Sequence, residues 1–194
     1  MLDDAGYSDC KICISNSLDE YLIRDMIFQG AQVDSYGVGE RLITASSEAV
    51  FGGVYKLAAV EKKGEIIPKI KISENAAKIT LPGVKIPWRL YDRETGKAIA
   101  DVIALNTEKI FDPDHTWKRK VVTDFIAKKL QVKIFENGRQ VYVSPSVKEI
   151  AKYRAEQVNS LWDEVKRFEN PHTYYVDLSE ELWNLRHELL NQLS

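Results

Sequence analysis

The spacing of apolar positions changes along the chain, and the changes mark its elements. Residues 11–15 form a short apolar run suited to a strand. In residues 18–29, Leu18, Tyr21, Leu22, Met26 and Phe28 recur at helical intervals behind the polar cap candidates Ser15 to Glu20. Gly30 stops that helix, and residues 31–35 enter a second strand that ends in the tight turn Gly37-Val38-Gly39. Ahead of all this, Leu2 to Tyr7 reads as the last turn of a helix, with Gly6 as its stop. Helix end, strand, helix, strand is a βαβ unit of the kind found in parallel sheets and barrels.

Downstream, the period shortens. Residues 54–60, 66–72, 84–91 and 98–105 are β-type runs separated by Lys-Lys-Gly, Leu-Pro-Gly and Glu-Thr-Gly turn signals, as in a meander or small sheet. Residues 106–120 read as a polar loop. Asn137-Gly138 joins strands expected at 131–136 and 139–143, because that dipeptide fits a two-residue hairpin turn. Ser144-Pro145-Ser146 opens a long helix whose apolar positions run through Val147, Ile150, Tyr153, Val158, Leu161, Trp162 and Val165. Asn170-Pro171 is its expected break. Residues 174–178 are expected to be extended, and Ser179 opens a last helix.

The Gly37-Val38-Gly39 turn is the first candidate for chemistry. Two glycines at a strand end allow positive φ and close approach of N–H groups to a ligand, and a helix turn behind them would favour an anion. Composition alters little. Of 194 residues, 44% are hydrophobic and 29% charged, ordinary values for a chain with a sizeable core. A net charge of −2 gives no electrostatic case for nucleic acid. No apolar run approaches the roughly 18 residues of a membrane span, and the acidic start does not resemble a leader, so a cytoplasmic protein is expected. Cys10 and Cys13 stand alone as a C-x-x-C, and buried hydrophobes are the expected reading, with redox chemistry or half a zinc site the alternative. Tyr153, Trp162 and Trp183 are expected in the core. Lys118-Arg119-Lys120 with Lys128-Lys129 reads as a solvated helix face, and Asp112 and Asp114 lack the further oxygen ligands of a calcium loop.

Larger motifs point further. Gly37-Val38-Gly39 is followed by Phe51-Gly52-Gly53-Val54-Tyr55-Lys56-Leu57, Lys71-Ile72-Ser73-Glu74-Asn75, and Lys78-Ile79-Thr80-Leu81-Pro82-Gly83. Trp88-Arg89-Leu90-Tyr91-Asp92, Val141-Tyr142, Pro145-Ser146-Val147 and the run from Pro171 to Ser179 complete the set. With these motifs the chain resembles the carboxyl-terminal portion of nicotinate phosphoribosyltransferases. The resemblance implies an α/β fold: the last βα units of an incomplete, TIM-like phosphoribosyltransferase barrel, then short β-strands and a carboxyl-terminal α/β extension. On that basis residues 1–53 are expected to end the barrel, 54–113 to form a β-rich segment packing back on it, and 114–194 to form the extension.

The resemblance also implies an activity. The family joins nicotinate to 5-phosphoribosyl-1-diphosphate, giving nicotinate mononucleotide and diphosphate, with Mg²⁺ on the diphosphate and ATP hydrolysis coupled. Paired subunits are implied as well, so a homodimer is expected. The family's phosphorylated histidine and Asp-Ser-Gly-Asp segment would lie ahead of Met1. No catalytic residue is therefore assigned to this chain, and the chain alone is expected to be inactive. His115, His172 and His187 match neither motif and read as structural or solvated.

The implied phosphate site comprises Ser15, Asn16, Gly37, Val38, Gly39, Glu40 and Arg41. Ser15 and Asn16 end a strand on the same rim and can donate to phosphate or ribose; equally, they can cap the following helix. The family usually carries Thr after the G-x-G, and here Glu40 and Arg41 follow. Either Glu40 turns away and offers only its N–H, or Arg41 binds phosphate while Glu40 orients it. Two alternatives stand beside the enzyme reading. One is a non-catalytic phosphate-binding or subunit-interaction module; the other is a related transferase using nicotinamide or quinolinate.

Overall fold

The structure is a computed structural model that describes residues 1–50, 52–108 and 124–193. It divides into two compact units, Met1–Val54 and Tyr55–Ser194. In the first, a single 3₁₀ turn, Asp3–Ala5, precedes strand β1 (Cys13–Ser15), helix α1 (Glu20–Phe28), strand β2 (Ser35–Gly37) and the one-turn helix α2 (Glu40–Ile43). β1 and β2 run parallel, pairing Cys13 with Ser35, Ile14 with Tyr36 and Ser15 with Gly37. The Asp34 carboxylate accepts a 2.8 Å hydrogen bond from the Ile12 N–H and anchors the entry to the pair. α1 begins where the Asp19 side chain accepts from the Leu22 N–H at 2.8 Å, which satisfies one of the donors a helix start leaves unpaired.

The parallel βαβ unit is therefore present, but its second strand sits later than the expected 31–35. Backbone bonds explain the delay. The Ala31 N–H still bonds the Met26 carbonyl, which ties the chain to the helix end, and pairing resumes only at Ser35.

The second unit centres on a four-stranded sheet. β3 (Ala59–Lys62) and β4 (Glu65–Pro68) form a separate antiparallel hairpin, so the expected meander is two sheets. β5 (Lys85–Asp92), β6 (Ala98–Leu105) and β7 (Phe125–Lys129) follow, then the short hairpin β8 (Phe135–Glu136) and β9 (Arg139–Gln140), helix α3 (Val147–Ser160), β10 (Val176–Leu178) and helix α4 (Glu180–Leu193). The sheet order is β10-β6-β5-β7, with β10 parallel to β6 and the other pairs antiparallel. Burial along β6 alternates strictly, and Trp88, Leu90, Val102, Ala104, Phe125 and Ala127 make one core.

On β5 and β6, Arg89 and Asp101 are cross-strand partners. The guanidinium donates twice to the carboxylate, at 2.8 and 2.9 Å, and the Tyr174 hydroxyl donates to the same carboxylate at 2.8 Å. Hydrogen bonding to Asp101 raises the Arg89 pKa above its ordinary value, and burial foremost raises that of Tyr174. This cluster ties β5, β6 and the segment entering β10 together. At the end of β6, buried Ser179 donates to Glu108 at 2.6 Å while its oxygen accepts from Leu182 N–H at the start of α4. α3 begins with a capping box between Ser146 and Glu149.

Several expectations change here. α3 ends at Ser160, not at Asn170-Pro171, because Lys97 caps the carbonyls of Asn159 and Leu161 and the chain turns extended at Leu161. Tyr153 is 60% and Trp162 44% exposed, so neither is a core residue; the strands supply the core instead. Lys128 and Lys129 lie on β7, a strand the basic run concealed, with Lys128 Nζ 4.9 Å from the Tyr91 ring and Lys129 Nζ 5.3 Å from the Trp88 ring. Cys10 and Cys13 are free and exposed rather than buried. Asn137 and Gly138 both take positive φ, at 49° and 75°, as a two-residue hairpin turn requires. Asp112, Asp114, His115 and Lys118 to Lys120 lie outside the described residues. Among the described residues no helix is long and apolar enough to cross a membrane.

The partly buried ion pair makes a direct prediction. Asp101→Ala leaves the Arg89 guanidinium without its carboxylate, and should lower the urea-unfolding free energy of this unit by about 2–4 kcal/mol. Tyr174→Phe, which removes one hydrogen bond, should cost about 1 kcal/mol.

Candidate phosphate-binding site

Within the first unit, the ends of β1 and β2 face a cleft of about 310 Å³ lined by Asn16, Ser17, Leu18, Gly37, Gly39, Glu40 and Arg41. The parallel register brings these residues together: Ser15 pairs with Gly37, so the turns after both strands emerge on one rim. Of the seven expected residues, Asn16, Gly37, Gly39, Glu40 and Arg41 line the cleft, and Ser15 and Val38 do not.

Ser15 has a packing role. A Cβ built on Gly37 would lie 3.0 Å from the Ser15 Cβ, so glycine at 37 is what lets the strands approach. The glycines do not use the positive φ expected of them; Asn16 at 96° and Ser17 at 51° do. That strained turn folds the chain from β1 into the rim, and non-glycine residues occupy such positions uncommonly. Neither Ser15 nor Asn16 caps α1, because Asp19 does.

The second contact of Asp19 was not legible in the sequence. Its other carboxylate oxygen accepts from an Arg41 Nη, so Asp19 orients Arg41 and the expected partner, Glu40, does not. The Leu22 N–H foremost, and the Arg41 guanidinium with it, hold Asp19 below its ordinary value of 3.8 against the opposing effect of desolvation. A cap residue at the start of α1 thus becomes a strut across the cleft. Asp19 was recognisable as a helix-start residue, but its pairing with Arg41 spans the whole crossover.

Chemically, the rim offers neutral donors from Asn16 and Ser17 and one guanidinium. A guanidinium carries five N–H donors, so its bond to Asp19 leaves others for an anion. Two carboxylates, Asp19 and Glu40, stand against that single positive charge. An incoming phosphate therefore meets a site with no net positive charge of its own. Among the described residues no group of three or more His, Cys, Asp or Glu could hold a metal ion. His172 uses its backbone N–H to bond the Glu164 carbonyl, and His187 Nδ1 lies 2.7 Å from the Trp183 carbonyl with its ring against the Trp183 ring. The His187 ring is thus tied to its own helix, while the His172 bond involves its backbone alone.

The two causes acting on Asp19 can be separated by titration. Its carboxyl carbon resonance should titrate below 3.8. Arg41→Ala should move the midpoint up without restoring 3.8, because the Leu22 N–H remains. Since the folded value is lowered, the stabilisation from this carboxylate is present above the ordinary pKa and disappears as pH falls through the folded one. A midpoint unmoved by Arg41→Ala would show that the pair does not form.

The sequence pattern of the family described as the nicotinate phosphoribosyltransferase C-terminal domain matches residues 84–186, just over half of the chain. The nicotinate phosphoribosyltransferase of Bacillus subtilis is 39% identical over 100% of the chain and 41% of its own length. That of Dictyostelium discoideum is 32% identical over 92% of the chain and 32% of its own length. The crystal structure of human nicotinic acid phosphoribosyltransferase superposes with a TM-score of 0.70 at 24% identity, over 97% of this chain and 36% of that one, a likeness of fold. The chain thus spans about two fifths or less of the length of these relatives. It belongs to the nicotinate phosphoribosyltransferase family and carries that family's carboxyl-terminal domain.

Proposed function

We propose that this chain is the carboxyl-terminal part of a nicotinate phosphoribosyltransferase and supplies the rim that holds the 5′-phosphate of phosphoribosyl diphosphate. The observation that carries the reading is 39% identity to the Bacillus enzyme along the whole chain. The cleft between the two strand ends adds to it. In the reaction the nicotinate ring nitrogen forms a bond to ribose C1 as the bond from C1 to diphosphate breaks, so the product is nicotinate mononucleotide, a precursor in NAD synthesis.

Within this scheme Arg41, fixed by Asp19, donates to the phosphate, and Asn16 and Ser17 add neutral donors. Anchoring the phosphate away from C1 uses remote binding energy to orient the ribose. The parallel β1–α1–β2 unit belongs, in this reading, to the incomplete TIM-like barrel. Mg²⁺ would arrive on the diphosphate and neutralise it as leaving group. Coupling to ATP hydrolysis, and the groups that perform it, belong to the remainder of the family's chain. A dimer in a reducing cytoplasm, where Cys10 and Cys13 stay free thiols, completes the proposal.

The test joins this chain behind the part of the Bacillus relative that it does not span, and follows nicotinate mononucleotide formation. Arg41→Ala should raise the KM for phosphoribosyl diphosphate about tenfold to a hundredfold, the worth of roughly 1.5–3 kcal/mol for a hydrogen bond to a charged group. An unchanged KM removes Arg41 from the phosphate site.

A further inference from the structure

A cavity of about 280 Å³ opens in the second unit where the start of β6 meets the segments on either side of Asn170-Pro171. Ala98, Ile99 and Val165 are its aliphatic lining, and Trp162, Tyr174 and Tyr175 its aromatic one. Backbone bonds hold these segments in place. The Trp162 and Asp163 carbonyls accept from the Val165 and Lys166 N–H groups at 3.1 Å, and the His172 N–H closes the loop on the Glu164 carbonyl at 2.9 Å. The Asp101 N–H then fixes the Tyr175 carbonyl to β6 at 2.9 Å, while the Tyr174 hydroxyl donates to the Asp101 carboxylate. The cavity is thus preformed, tied to strand and loop alike, as ligand pockets commonly are.

Charge selects among ligands. Glu164 is the acidic residue of the lining, and no described lysine or arginine belongs to it. The charges around it are matched: Asp163 pairs with Lys166 at 2.7 Å, Arg89 pairs with Asp101, and the Lys97 ammonium is held by the carbonyls of Asn159 and Leu161. Among the described residues the Glu164 carboxylate itself has no ion-pair or hydrogen-bond partner. A phosphate or carboxylate ligand would meet that charge with no lining cation to receive it. A cationic ligand would meet the carboxylate together with the negative faces of the rings. Arg89 already shows this on one ring, its guanidinium carbon lying 5.7 Å from the Tyr174 centroid. Trp162, of the ring type that attracts cations most, stays exposed beside the cavity.

We propose that this cavity binds a small organic cation, an alkylated ammonium or a ring bearing a quaternary nitrogen. Glu164 supplies the countercharge, and Trp162 with Tyr175 the aromatic wall. The volume lies at the low end for ligand pockets, so the occupant is small. A bare divalent metal ion fits less well, because it takes several oxygen ligands and the lining offers one carboxylate. His172 and Thr173 complete the lining with side chains that can hydrogen-bond a substituent on the ligand. The site rests on residues of the second unit alone.

The experiment titrates the 194-residue chain in a calorimeter with choline, with N-methylpyridinium and with the uncharged carbon isostere of choline. At least one of the two cations should bind saturably, with a Kd of about 1 mM or tighter. The isostere should bind at least about tenfold more weakly than choline if choline is the tighter cation, and not measurably if N-methylpyridinium is. Choline as the tighter ligand assigns the site to alkylammonium groups, and N-methylpyridinium assigns it to ring cations. Glu164→Gln and Trp162→Ala should each weaken the preferred cation roughly tenfold. Trp162→Phe, which keeps a ring face, should retain most of the affinity. Unchanged protection of the Ala98–Leu105 amides from exchange reports an intact sheet in each variant. Absence of saturable binding of either cation to the unsubstituted chain overturns the proposal. So does an isostere that binds as tightly as the cations, or cation binding that Glu164→Gln and Trp162→Ala both leave unchanged.

Discussion

Apolar surface and strand edges must be covered for a sheet to persist, and the two units meet that requirement to very different degrees. In the second unit the alternation of β6 buries every other residue, and β5 and β7 bring Trp88, Leu90, Phe125 and Ala127 to the same face. The opposite side is pinned by Arg89, Asp101 and Tyr174. The charged pair there is partly buried and doubly bonded, a geometry in which the lost hydration is largely offset. The first unit has neither feature. Its parallel pair and its helices are held by single bonds, such as Asp34 to Ile12 across the crossover and Asp19 to Leu22 within the helix start.

That contrast frames the candidate site. The cleft depends on the Ser15–Gly37 contact, on the left-handed turn at Asn16 and Ser17, and on the Asp19–Arg41 strut. All of them sit on the unit with the least buried surface. A rim built there gains rigidity from whatever covers β1, β2 and α1. Asp19 and Glu40 stand beside Arg41, so the cleft has no net positive charge of its own.

Much of this was legible in the sequence because local rules carry it. β6 was readable as a β-type run between turn signals, the β8–β9 turn from Asn137-Gly138, and the start of α3 from Ser144-Pro145-Ser146. The family was legible in motifs scattered from Gly37 to Ser179. What escaped was set by contacts distant in sequence. β7 is a strand through its pairing with β5, and its two lysines looked helical without that partner. The end of α3 is fixed by Lys97, some sixty residues away. Arg41 is oriented by Asp19 across the crossover, whereas the sequence offered its neighbour Glu40. Of the aromatic residues expected in the core, Tyr153 lies on an uncovered face of α3, which helical spacing does not identify, and Trp162 lies beyond the end of that helix.

Amide hydrogen exchange on the 194-residue chain by itself tests the division between the units most directly. Protection measures local opening, and openings of the two units are read in one experiment. The account predicts strong protection across Lys85–Asp92 and Ala98–Leu105, and slowing of no more than about a hundredfold at Cys13–Ser15 and Ser35–Gly37. Equal, strong protection of both regions in the isolated chain would contradict it, because β1 and β2 would then need no further strands to hold them.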